Sequence, residues 1–167
     1  MKTEFTFKSA SITVNTTNSS TAEKNSDFLI SEQGAVTNKS VVIIKTKRGE
    51  STITVLWSHF SEDASLCIHW SEINQTLFIG GGCVSAVINI EKQEIIDINY
   101  PELFWAWEFV GDYILELGEL DCRLYSESGK LIGEAPVDPP YEYELKNNSI
   151  EFTSIVMGKT KIELNYS

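Results

Sequence analysis

The sequence is poor in the residue types that catalytic and metal-binding sites use, and it has few positive charges. Its 167 residues include two histidines, three cysteines and four prolines, with 13 Lys and Arg against 24 Asp and Glu. The formal net charge of -11 leaves no basic footprint of the kind that neutralises nucleic-acid phosphates. The same deficit disfavours docking on an anionic membrane. We therefore expect neither a nucleic-acid partner nor a membrane partner.

Long hydrophobic runs are also missing. No stretch reaches the roughly 18 consecutive apolar residues that a transmembrane helix needs. The N-terminal segment, residues 1–15, lacks the apolar core of a secretory signal. These absences predict a cytoplasmic protein.

The few cysteines and histidines do not form a recognisable metal or disulfide pattern. Cys67, Cys83 and Cys122 are odd in number and include no CxxC pair, so free thiols are expected rather than disulfides. Cys67 and His69 would point the same way in a strand and, with Cys83, make a partial zinc site. Their spacing fits no structural zinc class. We expect no metal and no other cofactor.

Motifs for catalysis are absent too. There is no G-x-S-x-G elbow, and no Ser or Cys has an evident His partner in the sequence. The segment Gly80–Gly82 lacks the Lys and Ser/Thr of a P-loop and is not followed by a helical pattern, so a tight turn or a β-bulge is expected there. A pair of carboxylates of the glycosidase type stays open, because acids are abundant. We predict no catalytic residues and no enzyme.

The pattern that is present is that of short strands. Val41–Thr46 and Ser51–Trp57 read as a hairpin, and similar short apolar or alternating segments continue to the C-terminal region. About a dozen strands predict a single all-β domain over residues 1–167, an antiparallel β-sandwich or a barrel-like meander. Residues 15–25, rich in Ser, Thr and Asn, are expected to form a flexible loop.

Residues 74–98 and 111–137 align without a gap at an offset of 37 residues. Leu77 then matches Ile114, and Gly81 matches Gly118. Each unit reads as three strands joined by turns, which is close to the period of a propeller blade. The alternative is that any two three-stranded meanders look alike at this level.

The negative charge is concentrated. Residues 101–144 hold 2 basic and 11 acidic residues, and aromatic residues are interleaved with the acids. An extended chain at Leu103–Phe109 would bury Leu103, Trp105, Trp107 and Phe109 on one side. The stiff segment Asp138–Pro140 would hold its neighbours at little entropic cost.

Acidic side chains attract an approaching cationic partner, and aromatic side chains provide buried contacts in the interface. Together they suit an interface with a cationic protein. The candidate partner-binding residues are Glu108, Glu116, Glu119, Asp121, Asp138, Tyr141, Glu142 and Glu144. The alternative is a solvated acidic face that serves solubility.

A family resemblance rests on four segments of the sequence: Leu77–Gly82, Leu103–Glu108, Gly118–Cys122 and Asp138–Tyr143. With them the chain, over roughly residues 66–164, resembles small acidic β proteins among bacterial immunity proteins. Those proteins neutralise toxins of contact-dependent growth inhibition and related polymorphic toxin systems. The resemblance implies a cytoplasmic binder of one cognate toxin domain, often a basic nuclease, whose active site or substrate-binding surface it occludes.

Two other functions remain open at this level. One is a small-ligand or carbohydrate-binding β-sandwich module, which would need exposed tryptophans among Trp57, Trp70, Trp105 and Trp107. The other is a propeller-like module with a scaffold role.

Overall fold

The computed structural model describes residues 1–22, 25–58 and 65–164. These residues form sixteen β-strands in four sheets, and no helix. The predicted all-β class is therefore confirmed, whereas the expected number of about a dozen strands is too low. The sequence does not predict the strand at Phe28–Ser31, because its four residues are too few to show an alternating pattern.

The first sheet holds five strands in the spatial order β1-β2-β4-β5-β3. They are β1 (Lys2–Thr6), β2 (Ala10–Thr17), β3 (Phe28–Ser31), β4 (Asn38–Thr46) and β5 (Gly49–Trp57). β3 runs parallel to β5, and the other neighbours are antiparallel. The hairpin predicted around Gly49 is β4–β5.

The loop expected at residues 15–25 begins later than predicted. Residues 15–17 continue β2 and pair with β4, and the Thr16 hydroxyl lies 2.8 Å from the Ser40 hydroxyl. A polar composition indicated a loop, but β-branched threonines also suit a half-buried strand. Residues 23 and 24 lie outside the described part of the chain.

The other three sheets are antiparallel meanders in chain order. The second sheet is β6 (Cys67–Ser71), β7 (Thr76–Gly81), β8 (Val84–Asn89) and β9 (Glu94–Asn99). The third sheet is β10 (Phe104–Val110), β11 (Tyr113–Gly118), β12 (Asp121–Ser126) and β13 (Leu131–Pro136). The fourth sheet is β14 (Tyr141–Leu145), β15 (Ser149–Ser154) and β16 (Gly158–Glu163).

These three sheets share one spacing along the chain. Thr76 begins β7 and Tyr113 begins β11, 37 residues later, and β8 and β9 precede β12 and β13 by the same interval. The first strands β6, β10 and β14 also follow one another at this spacing. A register shift falls between Val87 and Ile88 in β8 and at the corresponding place in β12. The alignment of residues 74–98 with residues 111–137 does not include the fourth sheet. The strands of that sheet follow the corresponding strands of the third sheet by the same 37 residues or by one residue fewer.

The four sheets stack face to face in the order of the chain. One core cluster lies between the first and second sheets and includes Ile12, Val42 and Leu77. A second, with Phe78 and Trp107, joins the second and third sheets, and a third joins the third and fourth. Each of the two middle sheets is therefore covered on both faces, and every residue of β7 and β8 is buried.

Gly80 allows the second and third sheets to approach closely. A Cβ atom at Gly80 would lie 2.5 Å from Cε2 of Phe104, whose buried ring occupies that space. Gly82 has a φ of 60° and begins the two-residue turn Gly82–Cys83 between β7 and β8. The predicted tight turn is present, and the glycines serve packing and turn geometry.

We predict that Gly80→Ala lowers the free energy of unfolding by about 1–3 kcal/mol, because the added methyl group overlaps the Phe104 ring. Urea unfolding measures the change. The double variant Gly80→Ala/Phe104→Leu should lose less than the sum of the two single variants, because the smaller side chain makes room. Additive losses would show that the methyl group does not meet Phe104.

Candidate functional site

Successive turns of an antiparallel meander lie at alternate ends of its strands, so the turns of the stack form two opposite ends. The described part of one end is built from residues 32–37, 58, 65–66, 82–83, 100–103, 119–120, 137–140 and 155–157. Backbone hydrogen bonds join these turns: Phe104 N donates to Gly82 O at 2.8 Å, and Glu119 N donates to Leu103 O at 2.9 Å. A third, from Val137 N to Leu120 O, measures 3.0 Å. We call this surface the acidic end.

The described turns of the acidic end contain Glu32, Glu102, Glu119 and Asp138, and no Lys or Arg; Lys39 and Lys159 lie in strands, two residues beyond these turns. The turns of the opposite end carry both signs: Lys8, Lys47, Arg48, Lys92, Lys130 and Lys146 against Glu72, Glu91, Asp112 and Glu127. Among the described turns, negative charge is therefore concentrated at one end of the molecule, whereas other acids, such as Glu94, Glu134 and Glu142, lie in strands.

Three of these carboxylates surround Cys83. Burial raises the pKa of the Cys83 thiol, and the negative charges of Glu32, Glu102 and Glu119 raise it further. The thiol donates to the carbonyl oxygen of Glu102 at 2.9 Å. The Glu32 carboxylate accepts a hydrogen bond from Cys83 N at 3.1 Å and another from the Ser58 hydroxyl. Carboxylates from the first sheet, from the third sheet and from the link between the second and third sheets thus meet around one turn.

Three of the predicted partner-binding residues belong to this end. Glu119 and Asp138 lie in its turns, and Asp121 begins β12 directly after the Glu119–Leu120 turn. All three are half-buried, and burial raises the pKa of Asp121. Within the described residues, neither Glu119 nor Asp138 forms an ion pair. Their charge is available to a partner.

Glu102 is not among the predicted partner-binding residues, and it is exposed in the link between β9 and β10. Its position after Pro101 in a loop between strands was the available signal, because acids in turns are more accessible than acids in strands. Glu32 was also missed, since it lies far from the acidic segment and is brought to the same end by the parallel pairing of β3 with β5.

Two predicted residues instead join the third and fourth sheets. The Tyr143 hydroxyl donates to Glu108, and the ring of Tyr141 stacks on Trp105 with centroids 5.2 Å apart. The Tyr141 hydroxyl donates to Gly118 O at 2.8 Å. Glu108 and Tyr141 are thus engaged in contacts within the protein.

Glu142 and Glu144 lie on another surface, the outer face of the fourth sheet. They line a shallow cavity of about 160 Å³ together with Lys146 and Lys159, and Glu144 forms an ion pair with Lys146. Lysines offset the negative charge on this face, which distinguishes it from the acidic end.

Glu116 cannot touch a partner directly, because its side chain is only 1% exposed. The prediction that it forms part of the binding surface is therefore wrong. Tyr113–Gly118 is a strand between two other strands of a sheet that is covered on both faces, so its polar residue is buried. The alternating pattern around Glu116 predicted one solvated face, and the stacking of the second sheet removes that face.

A buried polar network holds Glu116 between the second and third sheets. Glu116 Oε1 accepts from Ser85 Oγ at 2.6 Å and from Asn99 Nδ2 at 3.1 Å, and its Oε2 lies 3.3 Å from the Tyr125 hydroxyl. Tyr125 donates its proton to Asp97 at 2.8 Å. Burial raises the pKa of Glu116 to about 7, although its hydrogen bonds and nearby Arg123 favour the charged form.

Arg123 is the positive charge of this network. Its guanidinium forms an ion pair with Asp97 at 2.9 Å and lies 3.4 Å from Glu134. Asp121 adds a further negative charge near Glu116 and Arg123. The network thus fixes the two middle sheets to each other directly behind the acidic end.

The aromatic segment is oriented differently from the prediction. A register shift between Phe104 and Ala106 places Phe104 and Trp107 in the core between the sheets. Trp105 and Phe109, expected to be buried, are 42% and 64% exposed. For Trp105, the prediction assumed unbroken alternation, which a β-bulge reverses. Phe109 stays on the same face as Trp107, because the pairing with β11 is unbroken from Ala106 to Val110. Phe109 covers His69, with ring centroids 4.3 Å apart.

The described residues give no positive sign of other chemistry. Among them, no group of three or more His, Cys, Asp and Glu side chains is arranged to hold a metal ion. No helix in the described ranges is long and apolar enough to cross a membrane. Cys67, Cys83 and Cys122 are free thiols, as predicted. His59 lies outside the described residues.

Comparison with known proteins identifies no family. No protein-family model matches the chain, and no curated protein matches it. Among solved structures, the chain is similar to the β-propeller domain of the Trilobed protease from Pyrococcus furiosus, which is described as having an open velcro topology. The TM-score is 0.47 at 11% identity, and the match covers 95% of this chain. It covers 51% of the other, so the chain spans about half the length of that structure.

We predict that Glu116 makes stability depend on pH. Its pKa rises from an ordinary value of 4.5 to about 7 on folding, so the folded protein keeps a proton that the unfolded chain releases. The free energy of unfolding should therefore fall by about 3 kcal/mol as pH rises through this range. The variant Glu116→Gln, which cannot titrate, should lack this decline.

Urea unfolding from about pH 5 to about pH 8 measures the difference between the variant and the wild type. As pH rises, the free energy of unfolding of Glu116→Gln should increase relative to that of the wild type. Glu94→Gln, which alters an exposed carboxylate, is the control and should follow the wild type. Parallel curves for wild type and Glu116→Gln would contradict the assignment.

Proposed function

We propose that the protein is a binding protein without catalytic activity, and that its acidic end occludes a basic surface of a partner protein. The observation that carries the proposal is the grouping of Glu102, Glu119 and Asp138 in described turns that hold no Lys or Arg, beside the buried carboxylate of Glu32. Carboxylates that have no internal ion pair keep their charge for an incoming cationic group.

The physical setting suits rapid and specific association. Charges of one sign at one end of a compact molecule steer an oppositely charged partner and raise its association rate. The turns stand on strands whose core residues are buried, so the backbone that carries the carboxylates has little freedom to lose on binding. Asp138 precedes two prolines, which stiffen its link further.

The partner we propose is the basic toxin domain of a contact-dependent growth inhibition or related polymorphic toxin system, most simply a nuclease. A nuclease holds phosphates with Lys and Arg, and a group of carboxylates offers the same charge as its substrate. The protein would then act in the cytoplasm as the immunity protein of that system. The resemblance noted from the sequence and the asymmetry of charge both support this proposal.

Carbohydrate binding is less well supported. Trp57, Trp70 and Trp107 are 1%, 3% and 9% exposed, so they offer no flat surface to a sugar ring. Trp105 is partly exposed, but its ring already stacks on Tyr141. We therefore do not propose that function.

We predict that Glu102→Gln/Glu119→Gln slows association with the cognate toxin domain about tenfold at low salt, because steering depends on these charges. The measurement is stopped-flow association with a panel of recombinant basic toxin nuclease domains, at low and high salt. The association rate of the variant should also depend less on salt concentration than that of the wild type does.

The matched control is Asp112→Asn/Glu127→Gln. It removes the same charge from the same acidic segment, but at the opposite end of the stack, again from one exposed and one half-buried residue. The control should associate as the wild type does. Equal losses in both variants would mean that only net charge matters. Failure of the wild type to bind any member of the panel, or to rescue growth when co-expressed with it, would refute the toxin assignment.

A further inference from the structure

The turn between β15 and β16 exposes three consecutive large apolar side chains. Ile155, Val156 and Met157 are 80%, 78% and 47% exposed. They are not part of the three core clusters, so they do not stabilise the fold through the core. We call these three residues the apolar tip.

Local structure does not explain this composition. Hairpin turns favour Gly, Asn, Asp and Ser, whereas β-branched Ile and Val suit strands. Gly158, with a φ of 72°, supplies the left-handed residue that a three-residue hairpin requires. The remaining turn positions are thus free to be polar. Residues that break a local rule without a structural gain are expected at functional sites.

The apolar tip lies at the acidic end. The Thr160 hydroxyl donates to Pro136 O at 2.8 Å, which holds the start of β16 against the end of β13 and the link that contains Asp138. The backbone bond from Val137 to Leu120 ties the neighbouring turn to the same link. Leu120 and Tyr100 of this end are 47% and 45% exposed. Exposed apolar and acidic side chains therefore share one surface.

We propose that the apolar tip is the anchor of this interface, and that it inserts into an apolar recess on the partner protein whose border carries Lys and Arg. Lys159 is the charged residue next to the tip in the chain, but the acids in the other turns of this end, Glu102, Glu119 and Asp138, would repel an anionic bilayer, which points to a protein rather than a lipid surface. An apolar anchor surrounded by charged groups is the usual arrangement of a tight interface. The basic border of the recess rests on the proposed function, whereas the apolar contact does not.

The test compares Ile155→Ser/Val156→Ser with the control Ile73→Ser. Ile73 is 87% exposed in the turn between β6 and β7, at the opposite end, and stands alone among polar neighbours. All these side chains are exposed, so thermal unfolding should be unchanged in both variants. A displayed library of random peptides, panned against the wild type, supplies the probe without a known partner.

We expect enriched peptides that combine bulky apolar residues with Lys or Arg. They should bind Ile155→Ser/Val156→Ser at least about tenfold more weakly than the wild type and bind Ile73→Ser normally. Apolar contacts act mainly on dissociation, so the salt dependence of the tip variant should match that of the wild type.

Three results would overturn the inference: no enriched peptide, peptides that bind the tip variant as well as the wild type, or binding of the wild type to phosphatidylcholine vesicles through the tip. If peptide binding does not depend on the tip but does depend on salt and on Glu102 and Glu119, this inference fails and the proposed function is unaffected. Tip-dependent peptides without basic residues would instead contradict the proposed charge complementarity.

Discussion

The close stacking of the two middle sheets is the constraint on which the rest of the structure depends. Phe104 fills the space above Gly80, and Phe78, Trp107 and Tyr125 complete the same layer. Once both faces of these sheets are covered, their polar residues must find partners inside the protein. The burial of Glu116 and its network, the apolar character of β7 and β8, and the placement of charge in the turns all follow from this packing.

The stacking also divides the acids of residues 101–144 into groups with different roles. Glu116 fixes one sheet to the next, and Glu108 bonds to Tyr143 across another pair of sheets. Glu119 and Asp138 remain without ion pairs in the described chain and meet Glu102 at one end. A segment that is uniformly acidic in sequence is thus partly structural and partly available for recognition.

The sequence predicted the fold class and most strands because turn residues separate the short apolar segments and so mark where each strand begins and ends. Glu119 and Asp138, which the sequence selected because acids and aromatics are interleaved in residues 101–144, lie half-buried in turns. The prediction failed for Glu116 because alternation looks the same whether the second face meets water or another sheet. It failed for Trp105 because a one-residue bulge reverses the faces of a strand and leaves no mark in the pattern.

The strands of the last three sheets keep nearly constant spacing, whereas the turns at the acidic end differ in length and chemistry. Gly82–Cys83 is a two-residue turn, Glu119–Leu120 is another, and the turn at Ile155 has three residues. Each sheet packs only on its neighbours, so the turns can change while the strands keep their contacts. Under the proposed function, recognition and folding would be encoded in separate sets of residues, and changes in the turns could alter binding specificity without a loss of stability.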